Sequence, residues 1–351
     1  MFYTFFLMVY RYCLFFYFVY LCTDGEISNG KTMLKISSII IILSFILVTN
    51  TSAWDLGKEG SFQFEQVNDN VYVMHGPREE PNPDNHGFMN NPGIIVAEHG
   101  VIVIDPGSAY PVGLEVLKEI EKISTKLVLA VFNTHVHGDH WLANQAIKEK
   151  YPQVRIYGHP AMIEQANGDT GLYWIDMMER LTDGKTRGTR VVAAETAVTN
   201  SQIIEVDGQI FKIHLLVPAH TNTDIMIEHV NSKTLFTGDN SFNQRMGRFD
   251  ETASMMGNIK ALEYALGLDI KTYVPGHGQS GSSDAAVKPF LNYLKRVQEV
   301  VEAGFEEELQ DFEIKDRVIA QFEDYSSWAG FDVNFGKHIN SMYLEVEKAS
   351  W

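Results

Sequence analysis

The heptapeptide Thr134-His135-Val136-His137-Gly138-Asp139-His140 constrains this chain more than any other stretch. Four of its seven residues can ligate a metal ion. An apolar, β-prone run (Leu127 to Phe132) leads into it and a helix-like stretch (Trp141 to Lys150) follows, so the pattern predicts a strand, a tight turn and a helix. A turn cannot bury three imidazoles and a carboxylate without offsetting their desolvation. One or two cations would supply that compensation.

At 351 residues with 45% apolar content, the chain can bury a large core. The first 53 residues stand apart. Met1 to Cys22 is apolar and aromatic, broken only by Arg11, and long enough to span a bilayer. A second apolar run, Ile36 to Val48, follows Lys35 and is closed by Thr51-Ser52-Ala53. That second run has the basic start, apolar middle and small-residue cleavage site of a secretory signal. Met33 then reads as the true start, residues 33–53 as a signal peptide, and residues 54–351 as a single domain exported to the periplasm or beyond. The alternative keeps residues 1–22 as a membrane anchor, the one route to a membrane if the segment stays uncleaved. Both cysteines, Cys13 and Cys22, fall in this region, which leaves no thiolate to serve as a metal ligand beyond it. Without residues 1–53, Arg11, Lys31 and Lys35 leave against Asp24 and Glu26, and the net charge moves from −17 to −18. So acidic a surface repels phosphate backbones and points away from nucleic acid, toward a small-molecule substrate. No feature sets an oligomeric state.

Beyond Ser61, Phe62 to Val67, Val71 to Met74, Gly93 to Ala97 and Val101 to Ile104 read as antiparallel strands. The loop Gly76 to Pro92 is too long for a hairpin connection and reads as a functional flap, its Phe88-Met89 pair forming an apolar tip. Helix and strand then alternate, and residues 167–200 form an insertion around Leu172, Tyr173, Trp174, Met177 and Met178. That patch is either a core-packing helix or a substrate-facing lid. The strand theme returns from Gln202 to Thr237, followed by helix, a short strand at Thr272 to Val274, and a C-terminal helical extension from Asp284. Two strand-rich then α/β segments predict two similar halves packed sheet to sheet with helices outside.

Imidazole and carboxylate suit zinc, manganese or ferrous iron. Further candidate ligands stand at strand ends: His220 in Pro218-Ala219-His220-Thr221, Asp239 in Phe236-Thr237-Gly238-Asp239, and His277 in Pro275-Gly276-His277-Gly278. Asp105 and Asp224 suit partners of ligand imidazoles or, alternatively, caps of post-strand turns. His86, Phe88 and Trp174 are the candidate substrate contacts. His214 and His229 read as ordinary, partly exposed strand residues, and His159 as a helix start beside Pro160.

The H-x-H-x-D-H pattern with the later His, Asp and His in order resembles the metallo-β-lactamase superfamily over nearly all of residues 60–280. The resemblance implies a four-layer αββα sandwich with a dinuclear site at one edge. It implies His135, His137 and His220 on a first metal, Asp139, His140 and His277 on a second, and Asp239 between them. Two zinc ions are expected, with iron or manganese as alternatives. The implied chemistry is attack by a metal-activated water, oriented by Asp139, on a β-lactam, lactone, ester or thioester. With aspartate at 239 and no cysteine, the ligand set is closer to the glyoxalase II and lactonase branches. A true β-lactamase and an iron-dependent persulfide dioxygenase are the alternatives.

Overall fold

The strand signals resolve into two sheets in the computed structural model of the chain, which describes residues 62–351. These residues fall within one compact unit, Leu56–Trp351. The expected signal peptide and the alternative anchor lie outside the described residues. Seven strands run in spatial order β1 (Glu65–Asn68), β2 (Val71–Val73), β3 (Gly93–Val96), β4 (Gly100–Ile104), β5 (Leu127–Phe132), β6 (Arg155–Gly158) and β7 (Thr196–Ala197). Pairing is antiparallel through β4 and parallel from β4 to β7. The second sheet has β8 (Ile203–Val206), β9 (Gln209–Leu215), β10 (Ile225–His229), β11 (Thr234–Phe242) and β12 (Thr272–His277), antiparallel except for the β11–β12 pair. Each sheet thus passes from hairpins to parallel strands, and a parallel pair needs a crossover. Helix α1 (Tyr110–Ile123) supplies it between β4 and β5. After β5 come α2 (Gly138–Trp141) and α3 (Asn144–Lys150), then α4 (Pro160–Ala166) and α5 (Asp169–Leu181). Helix α6 (Met255–Leu266) makes the crossover between β11 and β12.

The sheets face each other across a core that includes Ile102, Phe132, Phe211, Ile225, Ile227 and Phe236. Alternation sends Met226 and Leu235 to the other side of the second sheet, against the outer helices. Those are α6, α7 (Ser283–Ala286), α8 (Lys288–Glu306), α9 (Asp311–Val318) and α10 (Phe331–Ala349). The layers are helix, sheet, sheet, helix, the expected αββα sandwich. Because both faces of the second sheet are covered, His214 and His229 are buried and not partly exposed. Each has two partners: Tyr264 and Glu228 for His214, Ser232 and Gln209 for His229.

The segment expected to be a flap is a strap. Asn91 donates its backbone N–H to the Gly276 carbonyl at 2.9 Å and its side-chain amide to the Pro275 and Gly278 carbonyls at 2.8 and 2.7 Å. Asn90 donates to the Asp105 carbonyl at 2.9 Å. These bonds tie the loop to the turns that follow β4 and β12.

Candidate metal centre

Each parallel strand pair ends at the same edge of the sandwich, and there the sequence changes from apolar to ligating. Asp105 follows β4, the His135 segment follows β5, Asp239 lies within β11 and His277 closes β12. The chain reaches His220 from β9 through a turn in which Ala219 N–H donates to Thr221 O at 3.0 Å. Gly238 lets β11 turn Asp239 inward: its φ is +53°, and a Cβ there would meet the Thr134 side chain at 2.8 Å.

All seven expected ligands converge and are buried. His135, His137, His220 and Asp239 form one group of donor atoms that could hold an ion, and Asp139, His140 and His277 form a second. Asp239 faces both. Its Oδ1 lies 3.1 Å from His140 Nε2, and its Oδ2 lies 3.4 Å from His220 Nε2, 3.4 Å from His277 Nε2 and 3.9 Å from His135 Nε2. Asp139 Oδ2 is 3.2 Å from His277 Nε2 and 3.4 Å from His140 Nε2.

These residues fit metal ions. Two donors about 2.1 Å from one zinc at a tetrahedral angle stand about 3.4 Å apart. The closest His–Asp pair among the seven ligands lacks hydrogen-bond geometry: His140 Nε2 and Asp239 Oδ1 are buried and make no hydrogen bond, as is true of His135 Nε2. Outer nitrogens are committed elsewhere. His135 Nδ1 donates to Thr134 Oγ1 at 3.0 Å, His140 Nδ1 to Asp105 Oδ2 at 2.8 Å, and His277 Nδ1 to the Met89 carbonyl at 2.8 Å. This leaves their Nε2 lone pairs facing the site.

The electrostatics of the bare side chains show the same need for positive charge. Burial opposes ionisation of Asp139 and Asp239, yet the His140 and His277 imidazoles outweigh it and hold both carboxyls well below the usual range. Burial also opposes the His140 imidazolium, but Asp239, Asp139 and Asp105 push its pKa well above the ordinary value. Burial carries His135 well down and His220 down to about 3. Carboxylates that can be balanced only by protonating buried imidazoles are the environment a divalent cation stabilises.

Asp105 takes the imidazole-partner role: it accepts from His140, and from the backbone N–H and hydroxyl of Thr134 at 2.8 and 2.6 Å. Asp224 does not. Its oxygens accept from the Thr221 backbone at 2.7 Å and hydroxyl at 2.8 Å, so it braces the turn carrying His220, and burial raises its pKa to about 7. His159 caps α4, its Nδ1 accepting from Ala161 N–H at 3.1 Å.

A cleft of about 320 Å³ opens onto the two donor groups. Trp174 lines it, its ring 5.0 Å from that of His137, so α5 is both wall and core element: Met178 on the same helix packs with Val136 and Trp141. Phe88 does not reach the cleft; it is fully buried and stacks on Phe62 at 4.5 Å. His86, beside it in the strap, is also outside the lining, which takes Met89 instead. Further lining that no sequence signal marks comes from Arg245, Phe249 and Asp250 in the segment after β11, and from Lys337 and His338 in α10. Asp250 Oδ2 lies 3.3 Å from His137 Nε2.

An αββα sandwich with two adjacent His/Asp donor groups at one edge defines a candidate metal-binding protein. Residues 87–277, more than half the chain, match the metallo-beta-lactamase superfamily, and the chain belongs to it. A hydroxyacylglutathione hydrolase of Synechococcus sp. is 30% identical over 182 residues, 51% of this chain and 58% of that protein. The match thus spans little more than half of that relative's length. A probable metallo-hydrolase of Methanocaldococcus jannaschii is 26% identical over 202 residues, 56% of this chain and 91% of that protein. Among solved structures, a metallo-beta-lactamase from Pontibacter korlensis superposes with a TM-score of 0.53 at 17% identity, covering 66% of this chain and 98% of that one. At that identity the likeness concerns the fold.

Proposed function

We propose that this chain is an exported dinuclear zinc hydrolase that opens an acyl bond of a small molecule: a β-lactam, lactone, ester or thioester. The observation that carries the reading is Asp239, whose two oxygens face the two donor groups. An all-imidazole-and-carboxylate donor set suits zinc, as it would iron or manganese, and the signal pattern in residues 33–53 supports export. Relatives named for hydrolysis of a hydroxyacyl compound support an acyl bond.

Two zinc ions held by these residues would supply Lewis acidity and a hydroxide at neutral pH. The remaining chemistry belongs to the chain. Asp139, ionised and facing the cleft, accepts a hydrogen bond from an entering water and orients it. Asp239 fixes the separation of the two groups. Trp174, Met177 and Phe249 hold the apolar part of the substrate and exclude bulk water.

The test is a panel on purified protein: a chromogenic cephalosporin, a homoserine lactone, an acyl thioester and a phosphodiester. The expected result is hydrolysis of at least one acyl substrate, lost on chelation and restored by zinc. One tightly bound iron with oxygen uptake on a persulfide would overturn it. Mass spectrometry of the native N-terminus tests export, with a start near Trp54 expected. A peptide containing Tyr10 or Tyr20 would favour the membrane anchor.

A further inference from the structure

The five imidazoles of the two donor groups are not held alike. His135, His140 and His277 anchor their outer nitrogens on Thr134, Asp105 and the Met89 carbonyl, all buried groups. His220 Nδ1 makes no hydrogen bond. His137 is turned the other way: its Nδ1 faces His220 Nε2 at 3.0 Å, and its Nε2 points outward to Asp250. The Asp250 side chain is 45% exposed, yet it is oriented in advance, because its Oδ1 accepts from both the backbone N–H and the hydroxyl of Thr252 at 2.7 Å.

A neutral imidazole carries one proton, and the partner of one nitrogen decides which nitrogen keeps its lone pair. We propose that Asp250 is a positioning residue for His137: accepting from Nε2–H, it fixes the tautomer that leaves Nδ1 free for the first ion. Asp250 therefore sets the affinity of that ion and leaves the second alone. This rests on the dinuclear reading of the site. Asp250 also lines both the cleft and a neighbouring groove of about 870 Å³, so a bound molecule can touch it.

The experiment is a Co²⁺ titration of metal-free wild type, Asp250→Ala and Asp250→Asn, followed by the visible absorption of each equivalent, with thermal unfolding of each metal-free protein. In Asp250→Ala one equivalent weakens by about 10–100-fold, the loss typical of an outer-shell partner, while the other is unchanged. Asp250→Asn, whose amide oxygen still accepts, loses less. Unchanged binding of both equivalents, or equal weakening of both, overturns the assignment. So does a metal-free variant that unfolds at lower temperature, which would make Asp250 a structural residue. A wild type that takes up fewer than two equivalents rejects the dinuclear centre itself, and the role of Asp250 with it.

Discussion

The Asp239 carboxylate occupies the space that a side chain at Gly276 would fill: a Cβ on Gly276 would lie 1.9 Å from Asp239 Oδ1. The residue before His277 is therefore bare so that the carboxylate between the two donor groups can pack directly on the backbone of β12. Gly276→Ala must displace Asp239 from its place between the groups. Misplacement of about 1 Å at a reacting centre costs on the order of 100-fold in rate. The variant is expected to bind fewer than two metal ions by elemental analysis and to hydrolyse at least about 100-fold more slowly. Full metal content with wild-type turnover would refute the packing argument.

Asp105 gathers three donors, two from Thr134 and one from His140. Asp105→Ala leaves them buried and unsatisfied. Removing one partner of a buried charged network costs about 3–5 kcal/mol, and loss of an imidazole partner about 10–100-fold in metal affinity. Denaturant unfolding and competitive zinc chelation should register both losses, more strongly than for Asp224→Asn, which touches only the turn at Thr221.

Trp174 borders the cleft without joining either donor group. Trp174→Ala is expected to leave two metals bound while raising KM about tenfold for an acyl substrate with an apolar body, the size of a lost apolar contact. Steady-state kinetics with elemental analysis checks this; a collapse of metal content would place Trp174 in the metal site instead.

His338 is fully buried, donating Nε2–H to the Gly247 carbonyl at 2.9 Å and accepting at Nδ1 from Tyr293 at 2.7 Å. Burial lowers its pKa to about 4, against about 6.5 when unfolded. Below pH 6.5 the unfolded chain takes up a proton that the folded imidazole refuses, so stability falls with pH until about pH 4. The loss from this group is about 2 kcal/mol by pH 5 and about 3 kcal/mol by pH 4. Urea unfolding at pH 7 and pH 5 should show wild type losing about 2 kcal/mol more than His338→Gln; equal losses would contradict the assignment.

The features of the fold and site that are legible in the sequence share one property, namely that local order carries them. The ligands of the heptapeptide lie within six residues, while His220, Asp239 and His277 each come after an apolar run and sit among small residues, so their convergence could be read from the ends of those runs, although β11 continues past Asp239 to Phe242. Asp250 could not be found this way: it meets His137 only because the segment after β11 folds back, and no spacing records a contact across 113 positions. Lys337 and His338 escaped for the same reason, reaching the cleft from α10. In the strap, irregular backbone has no period, so nothing in Phe88-Met89 told which side chain would turn to the core and which to the cleft. The burial of His214 and His229 is not legible because alternation marks an exposed face only when a sheet is covered on one side.

The central claim is that two ions sit in two groups of side chains with Asp239 between them. Anomalous diffraction from crystals of zinc-loaded protein, collected on either side of the zinc edge, tests it directly. Two peaks are expected, one contacted by His135, His137 and His220 and the other by Asp139, His140 and His277, with one Asp239 oxygen on each or one oxygen shared. A single peak, or zinc bound away from these residues, would contradict it.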